Sequence, residues 1–391
     1  MRRGKSGESA PGPELSGSVS DAGGGRIVSG RQSSSGFIEI YSAVNLPVFQ
    51  NRMFHNAEAA RNCARGDVNL VRDRETGLIF NRAFRPELMQ YDADYQNEQA
   101  VSAVFRNHLN AVCDVIERQF GGYSLIEVGC GKGHFLEQLQ FRGFRIVGLD
   151  PAYEGINPSV IKKYFSPEIG IHADGIVLRH VLEHVQDPVG FLAKIRDANG
   201  GAGKIYIEVP CFDWICKHRA WFDIFYEHVN YFRETDFHGM FSEVHESAHV
   251  FAGQYLYVVA DLASLRTSIA RQSDDFVFPD DFLCGVNLHA EKLKSAGAAS
   301  SAIWGGASKG VTFAIFMERA GAKIDVVIDV NPAKQGKYLP GTGLEVRSPE
   351  QAVQLLPDGA SVFVMNGNYL EEVRTSTRQR FSYFTVDHDY I

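Results

Sequence analysis

The sequence has little that could become a disulfide framework, a membrane anchor or a basic nucleic-acid face. Its six cysteines, at positions 63, 113, 130, 211, 216 and 284, show no paired spacing. That pattern fits reduced thiols and predicts a cytoplasmic protein. No apolar run approaches the ~20 residues of a membrane span, and Met1-Arg-Arg leads into Gly, Ser and Pro where a leader would carry a hydrophobic segment. A formal net charge of −8 gives no basic surplus, so nucleic acid is excluded as the expected partner. What is present is a 391-residue chain with 45% hydrophobic and 22% charged residues. At the usual ~150 residues per domain it has room for two or three domains and a sizeable core.

One stretch organises the rest. Leu125-Ile-Glu-Val-Gly-Cys-Gly-Lys-Gly133 is an apolar run that delivers three glycines into a helical pattern beginning at His134. Gly129, Gly131 and Gly133 let the backbone take positive φ and approach a ligand without Cβ interference, while the following helix points free N–H groups at it. Phe144-Arg-Ile-Val-Gly-Leu-Asp150 reads as the next strand, ending about twenty residues on in an acid that can accept both hydroxyls of a ribose. A generic nucleotide-binding turn remains open on these residues alone. Glu127, however, enters the loop from the strand, and the dinucleotide spacing is not kept. The stretch resembles the first motif of class I S-adenosylmethionine (SAM) methyltransferases. That resemblance implies SAM as cofactor, contacted by Glu127, Gly129, Gly131, Gly133 and Asp150.

Residues 1–36 are rich in Gly, Ser, Pro and charge, and read as a disordered tail because they bury too little to offset ordering entropy. Residues 37–97 carry short strand-like runs, Phe37-Ile-Glu-Ile-Tyr and Gly77-Leu-Ile-Phe-Asn, and form a small N-terminal module. A helix is expected from about Gln99 to Phe120, with Val101, Val104, Phe105, Leu109, Val112, Cys113 and Ile116 at helical spacing. Strands at 175–178 and 203–210 and a helix at 188–198 complete a central domain over 98–262 whose alternation predicts a parallel sheet. Residues 263–391 repeat that alternation: Ala302-Ile-Trp304 enters Gly305-Gly-Ala-Ser-Lys-Gly310, a helix runs to Arg319, and Ser348-Pro-Glu opens a capped helix. The expected class is α/β, with a methyltransferase Rossmann-like domain between the small module and a second, C-terminal Rossmann-like domain.

Two runs could do chemistry. Arg179-His180-Val-Leu-Glu183-His184 lies just beyond a strand end, the edge where ligands collect in open α/β sheets. In Trp221-Phe-Asp-Ile-Phe-Tyr226-Glu227-His228-Val-Asn-Tyr231-Phe232, a flat apolar wall carries Tyr, Glu and His in succession. His184 could equally be a helix-start residue, and His228 a satisfied core histidine.

These runs are similar to those of SAM-dependent sugar C-methyltransferases acting on nucleotide-linked 4-keto-6-deoxyhexoses. The similarity extends through Leu46-Pro-Val-Phe-Gln-Asn51, Asn331-Pro-Ala-Lys-Gln-Gly-Lys-Tyr-Leu-Pro-Gly341 and Asn366-Gly-Asn-Tyr-Leu. It implies His228 as the base that makes a carbon next to a carbonyl nucleophilic, Glu227 as its orienting partner, and His184 with Tyr226 as donors to the enolate oxygen. It also implies His180 against the cofactor's methionine portion and Tyr95 and Lys309 against the substrate. The run is one residue shorter than in the characterised sugar enzymes, which leaves open whether Tyr226 or Phe225 faces the substrate. The family's N-terminal module is a zinc ribbon, but here Asp73 and Thr76 stand where its second Cys pair belongs. Cys63 alone cannot make a tetrahedral site, so no metal is expected there. Ala307 replaces the middle glycine of the family's second glycine turn, restricting close approach of a phosphate. The alternatives are O- or N-methylation of a small metabolite, or a protein that binds SAM without turnover.

Overall fold

The computed structural model describes residues 19–28, 36–89, 95, 100–273, 275–295 and 300–387. Strands β1 (Val19–Ala22) and β2 (Gly25–Val28) form a hairpin closed by Gly23 and Gly24, at φ 56° and 81°. Two successive positive-φ residues give the turn whose twist matches that of paired strands. The sheet continues antiparallel through β3 (Phe37–Pro47), β4 (Arg65–Asp73) and β5 (Ile79–Asn81), with helix α1 (Ala57–Arg61) capped by Asn56. The tail expected to be disordered through residue 36 is therefore ordered over 19–28. Side chains at Gly23 or Gly25 would collide with Val286 or Phe316, so the surface that orders the hairpin comes from the far end of the chain. Composition within the tail could not reveal it. Asp73, in a thiolate's place, accepts hydrogen bonds from the Glu75 and Thr76 N–H groups (2.7 and 2.9 Å) and closes a turn.

The central unit opens with α2 (Ala103–Phe120), which starts later than the apolar spacing suggested because Ser102 caps it, accepting from Val104 and Phe105 N–H. There follow β6 (Ser124–Val128), α3 (His134–Phe141), β7 (Arg145–Leu149), β8 (Val160–Ile161), β9 (Gly175–Arg179), α4 (Pro188–Ala198) and β10 (Lys204–Pro210). Next come α5 (Phe212–Lys217), β11 (Asn230–Tyr231), α6 (Glu234–Met240), β12 (Val244–Val250) and β13 (Tyr255–Asp261). The seven-stranded sheet has the order β12-β13-β10-β9-β6-β7-β8. It is mixed where a parallel sheet was expected: β13 runs antiparallel to both β10 and β12. The short turn from β12 to β13 leaves no room for a crossover, which parallel neighbours require. β11 pairs with β5, so the central chain supplies the last strand of the N-terminal sheet.

The C-terminal unit comprises α7 (Cys284–Ser295), β14 (Ser301–Trp304), α8 (Lys309–Arg319), β15 (Val326–Ile328), β16 (Val346–Arg347), α9 (Pro349–Leu355), β17 (Ser361–Val364), α10 (Leu370–Ser376) and β18 (Ser382–Thr385). Its five strands are all parallel, in the order β16-β15-β14-β17-β18. One hydrophobic cluster runs through all three units, joining Tyr41, Ile176 and Phe313. Trp221 is fully buried in it and stacks on Phe313 at 5.7 Å, so the first half of the aromatic run is core. Among the described residues no helix is long and apolar enough to cross a membrane.

Candidate active site

The carboxyl ends of the two α/β sheets face one cleft of about 370 Å³. From the central sheet come the loop after β6 and the segments after β9 and β10; from the C-terminal sheet come the loops after β14, β15 and β17. Open α/β sheets bind ligands at this edge, and here two of them share it.

The glycine loop forms one wall. Gly129, Gly131 and Gly133 all take positive φ, and a Cβ at Gly129 would lie 2.5 Å from Val181 Cγ2, which makes glycine obligatory there. Glu127 lines the cleft, is 3% exposed, and leaves Oε2 without a hydrogen-bond partner. Burial, with the Asp150 charge adding and Arg179 opposing, pushes its pKa up to about 8. An orphaned buried carboxyl at the cleft wall fits the ammonium of an amino acid, so this wall suits the methionine end of SAM. Asp150 and Gly133 are not among the residues that line the cleft. Asp150 accepts from Gly131 N–H and Ala152 N–H, each at 2.8 Å, and so shapes the loop itself.

His180 reaches the cleft with its backbone in the left-handed region at φ 52°, a conformation uncommon outside glycine. Its Nε2 sits 3.0 Å from Glu208 Oε1 and its Nδ1 3.4 Å from Glu183 Oε1, ion-pair contacts without the direction of good hydrogen bonds. Burial lowers its pKa, but Glu183 and Glu208 outweigh that and lift it to about 9. Glu208 is wholly buried and also receives Arg179 Nη2 (2.9 Å), Tyr206 OH (2.7 Å) and His108 Nε2 (3.2 Å).

The second chemical run divides between two sides. Phe225 and His228 line the cleft, whereas Tyr226 turns into the N-terminal module, where its OH accepts from Arg85 N–H at 2.8 Å and its ring packs on Phe84 and Gly66. Tyr226 is thus no enolate donor, and Phe225 is the residue that faces the cleft. Glu227 is not the partner of His228 either. Its Oε1 accepts from Gln50 and Asn51 N–H (2.6 and 3.3 Å) and its Oε2 from Tyr95 OH (2.7 Å). His228 packs against Phe225 at 4.1 Å and edge-on to His184 at 4.9 Å, while His184 Nδ1 meets the Glu227 carbonyl at 3.0 Å. The acid near His228 is Glu183. Glu183, His184 and His228 each offer a ligand atom within 4.8 Å of the others, the one group among the described residues that could hold a metal ion.

Lys309 pairs with Asp223 at 3.0 Å and donates to Gln254 Oε1 at 3.0 Å, and Lys334 pairs with Asp329 at 3.1 Å. All four of these charged residues line the cleft. Ser308 donates to Asn51 Oδ1 at 3.1 Å, and Asn51 and Tyr95 both donate to Glu227, so contacts among Asn51, Tyr95, Glu227 and Ser308 join the three units at the site.

Residues 96–244 match a methyltransferase domain and residues 287–383 a C-methyltransferase C-terminal domain. Together the two matches mark the chain as a SAM-dependent methyltransferase that carries a C-methyltransferase C-terminal domain. It is 24% identical over 339 residues to the C-methyltransferase NovU of Streptomyces niveus, a match covering 76% of this chain and 79% of that one. A Burkholderia thailandensis 1,6-didemethyltoxoflavin-N1-methyltransferase shares 13% identity at a TM-score of 0.31, covering 47% of this chain and 95% of its own. A SAM-dependent methyltransferase from Archaeoglobus fulgidus shares 18% at 0.28, covering 41% and 100%. Scores that low carry no inference about this C-methyltransferase. Its cofactor is SAM. Sequence reasoning passed over Glu183 as a site residue although it stands inside a quoted motif, and missed Asp223, Gln254 and Asp329, whose spacing carries no signal until the units close on one another.

Proposed function

We propose that this C-methyltransferase methylates a carbon next to the carbonyl of a nucleotide-linked keto-deoxysugar through a base-generated enolate. The observation that carries the reading is the packing of His228 against His184 in the cleft that the glycine loop also lines. Burial and the neighbouring His184, His180 and Lys309 charges hold His228 well below its usual pKa, so it stands neutral and able to accept a proton. SAM, when bound, supplies the electrophilic methyl group. His184 spends its Nδ1–H on the Glu227 carbonyl and so holds its ring in place beside the base. Glu227, gripped by Gln50, Asn51 and Tyr95, anchors the run to the N-terminal module and so places His228. Lys309, Asp223, Lys334 and Asn331 also line the cleft and offer charged and polar groups to the substrate's carrier.

The test is to incubate the enzyme with SAM and a nucleotide-linked 4-keto-6-deoxyhexose, then follow S-adenosylhomocysteine and locate the new methyl by NMR. A carbon-bound methyl next to the carbonyl is expected. A methyl on oxygen or nitrogen would overturn the reading.

A further inference from the structure

We propose that Glu183 is the outlet for the proton that His228 removes, a positioning and relay residue that clears the base after each turnover. The inference rests on His228 being the base. Its starting point is the balance of the reaction. A sulfonium cation becomes a neutral thioether while a carbon exchanges its proton for a methyl, so one proton must leave the site per turnover. His228 is 8% exposed, walled by Phe225, and faced by His180, His184 and Lys309, all of which disfavour a lasting imidazolium. It must hand its proton on.

The adjacent carboxylate in sequence cannot take that proton without giving up its hydrogen bonds, because both oxygens of Glu227 are engaged by the N-terminal module and Tyr95. Glu183 is its opposite. It is 1% exposed and neither oxygen has a hydrogen-bond partner. Apart from the ion-pair contact with His180, its acceptor sites are unused, so the carboxylate has lone pairs to offer a proton without giving up a hydrogen bond. Its ligand atom lies within 4.8 Å of those of His184 and His228, a gap that one water spans. On its other side, Oε1 is 3.4 Å from His180 Nδ1, and the His180 side chain is 27% exposed and lines the cleft.

The route follows. The substrate C–H proton moves to His228 and then to Glu183. His180 gives its Nδ1 proton to cleft water and takes the replacement from Glu183, so one proton enters and one leaves. Glu208, fixed by Arg179, Tyr206 and His108, holds the other ring nitrogen of His180 in place.

Glu183→Gln removes the acceptor while preserving shape. In rapid-quench experiments with SAM and the keto-deoxysugar nucleotide that supports turnover, its first turnover should run within about twofold of wild type. Later turnovers should slow at least tenfold and recover with added imidazole, and Glu183→Asp should restore part of the rate. Deuterium wash-in without SAM should fall, because the trapped proton returns to the same carbon. Equal slowing of first and later turnovers would overturn the proposal, as would wild-type steady-state kinetics. Stoichiometric zinc in wild type that the Gln variant loses would overturn it too, since the carboxylate would then be a metal ligand. Failure of the underlying reading looks different: His228→Asn would keep a normal first turnover.

Discussion

The environment of His228 decides when it can act. Burial first, then the His184, His180 and Lys309 charges, set its pKa far below the ordinary ~6.5, so the imidazole stays neutral where a free histidine would titrate. The pH profile of kcat/KM should therefore run flat through 6.5, and an acid limb there assigned to His228 by its loss in His228→Asn would contradict this. The sign for stability follows from the same depression. Below about 6.5 the unfolded chain takes up a proton that the native His228 refuses, so its contribution is present above that pH and lost as pH falls. Glu127 is shifted the other way, up to about 8, mainly by burial, which favours the protonated carboxyl in the free enzyme near pH 7. Pairing with the ammonium of SAM favours the carboxylate. SAM binding at pH 7 should release a proton from this group, seen by calorimetry in buffers of different ionisation enthalpy, and Glu127→Gln should abolish that release while weakening binding. Proton release unchanged in the variant would remove Glu127 from the cofactor site.

Elements explain why some residues were legible and others were not. The glycine loop announced itself because a strand, three glycines and a helix are contiguous, and each glycine does take positive φ. Glu227 and His228 were found as a pair by chain adjacency. Adjacency misled about their partnership, because the chain turns at Tyr226 and Glu227: those two side chains reach the N-terminal module while Phe225 and His228, on either side of the turn, line the cleft. Gly66 fixes that choice, since a Cβ there would lie 2.3 Å from Tyr226 Cε2. Tyr226→Phe should thus cost about 1 kcal/mol of stability through the lost bond to Arg85 N–H and leave activity per folded molecule near wild type. A fall in kcat of a hundredfold or more with an unchanged melting temperature would return Tyr226 to the reaction.

Over the whole molecule, the alternation of strands and helices was enough to place two α/β units and a small module, but not to show how they meet. That information lies in contacts between distant segments: Val286 and Phe316 ordering the N-terminal hairpin, β11 completing the module's sheet, Trp221 stacking on Phe313. The meeting makes the site, because two strand-end edges enclose one cleft and contacts among Asn51, Tyr95, Glu227 and Ser308 join the units there. The central claim is that this enclosure holds a neutral histidine against a carbon acid, with methyl transfer following proton removal. The most direct test is exchange of the substrate's α-proton in deuterated water without SAM. The account predicts wash-in by wild type and a loss of roughly two to four powers of ten in His228→Asn, with fold and SAM binding retained. Exchange by the Asn variant at the wild-type rate would contradict it.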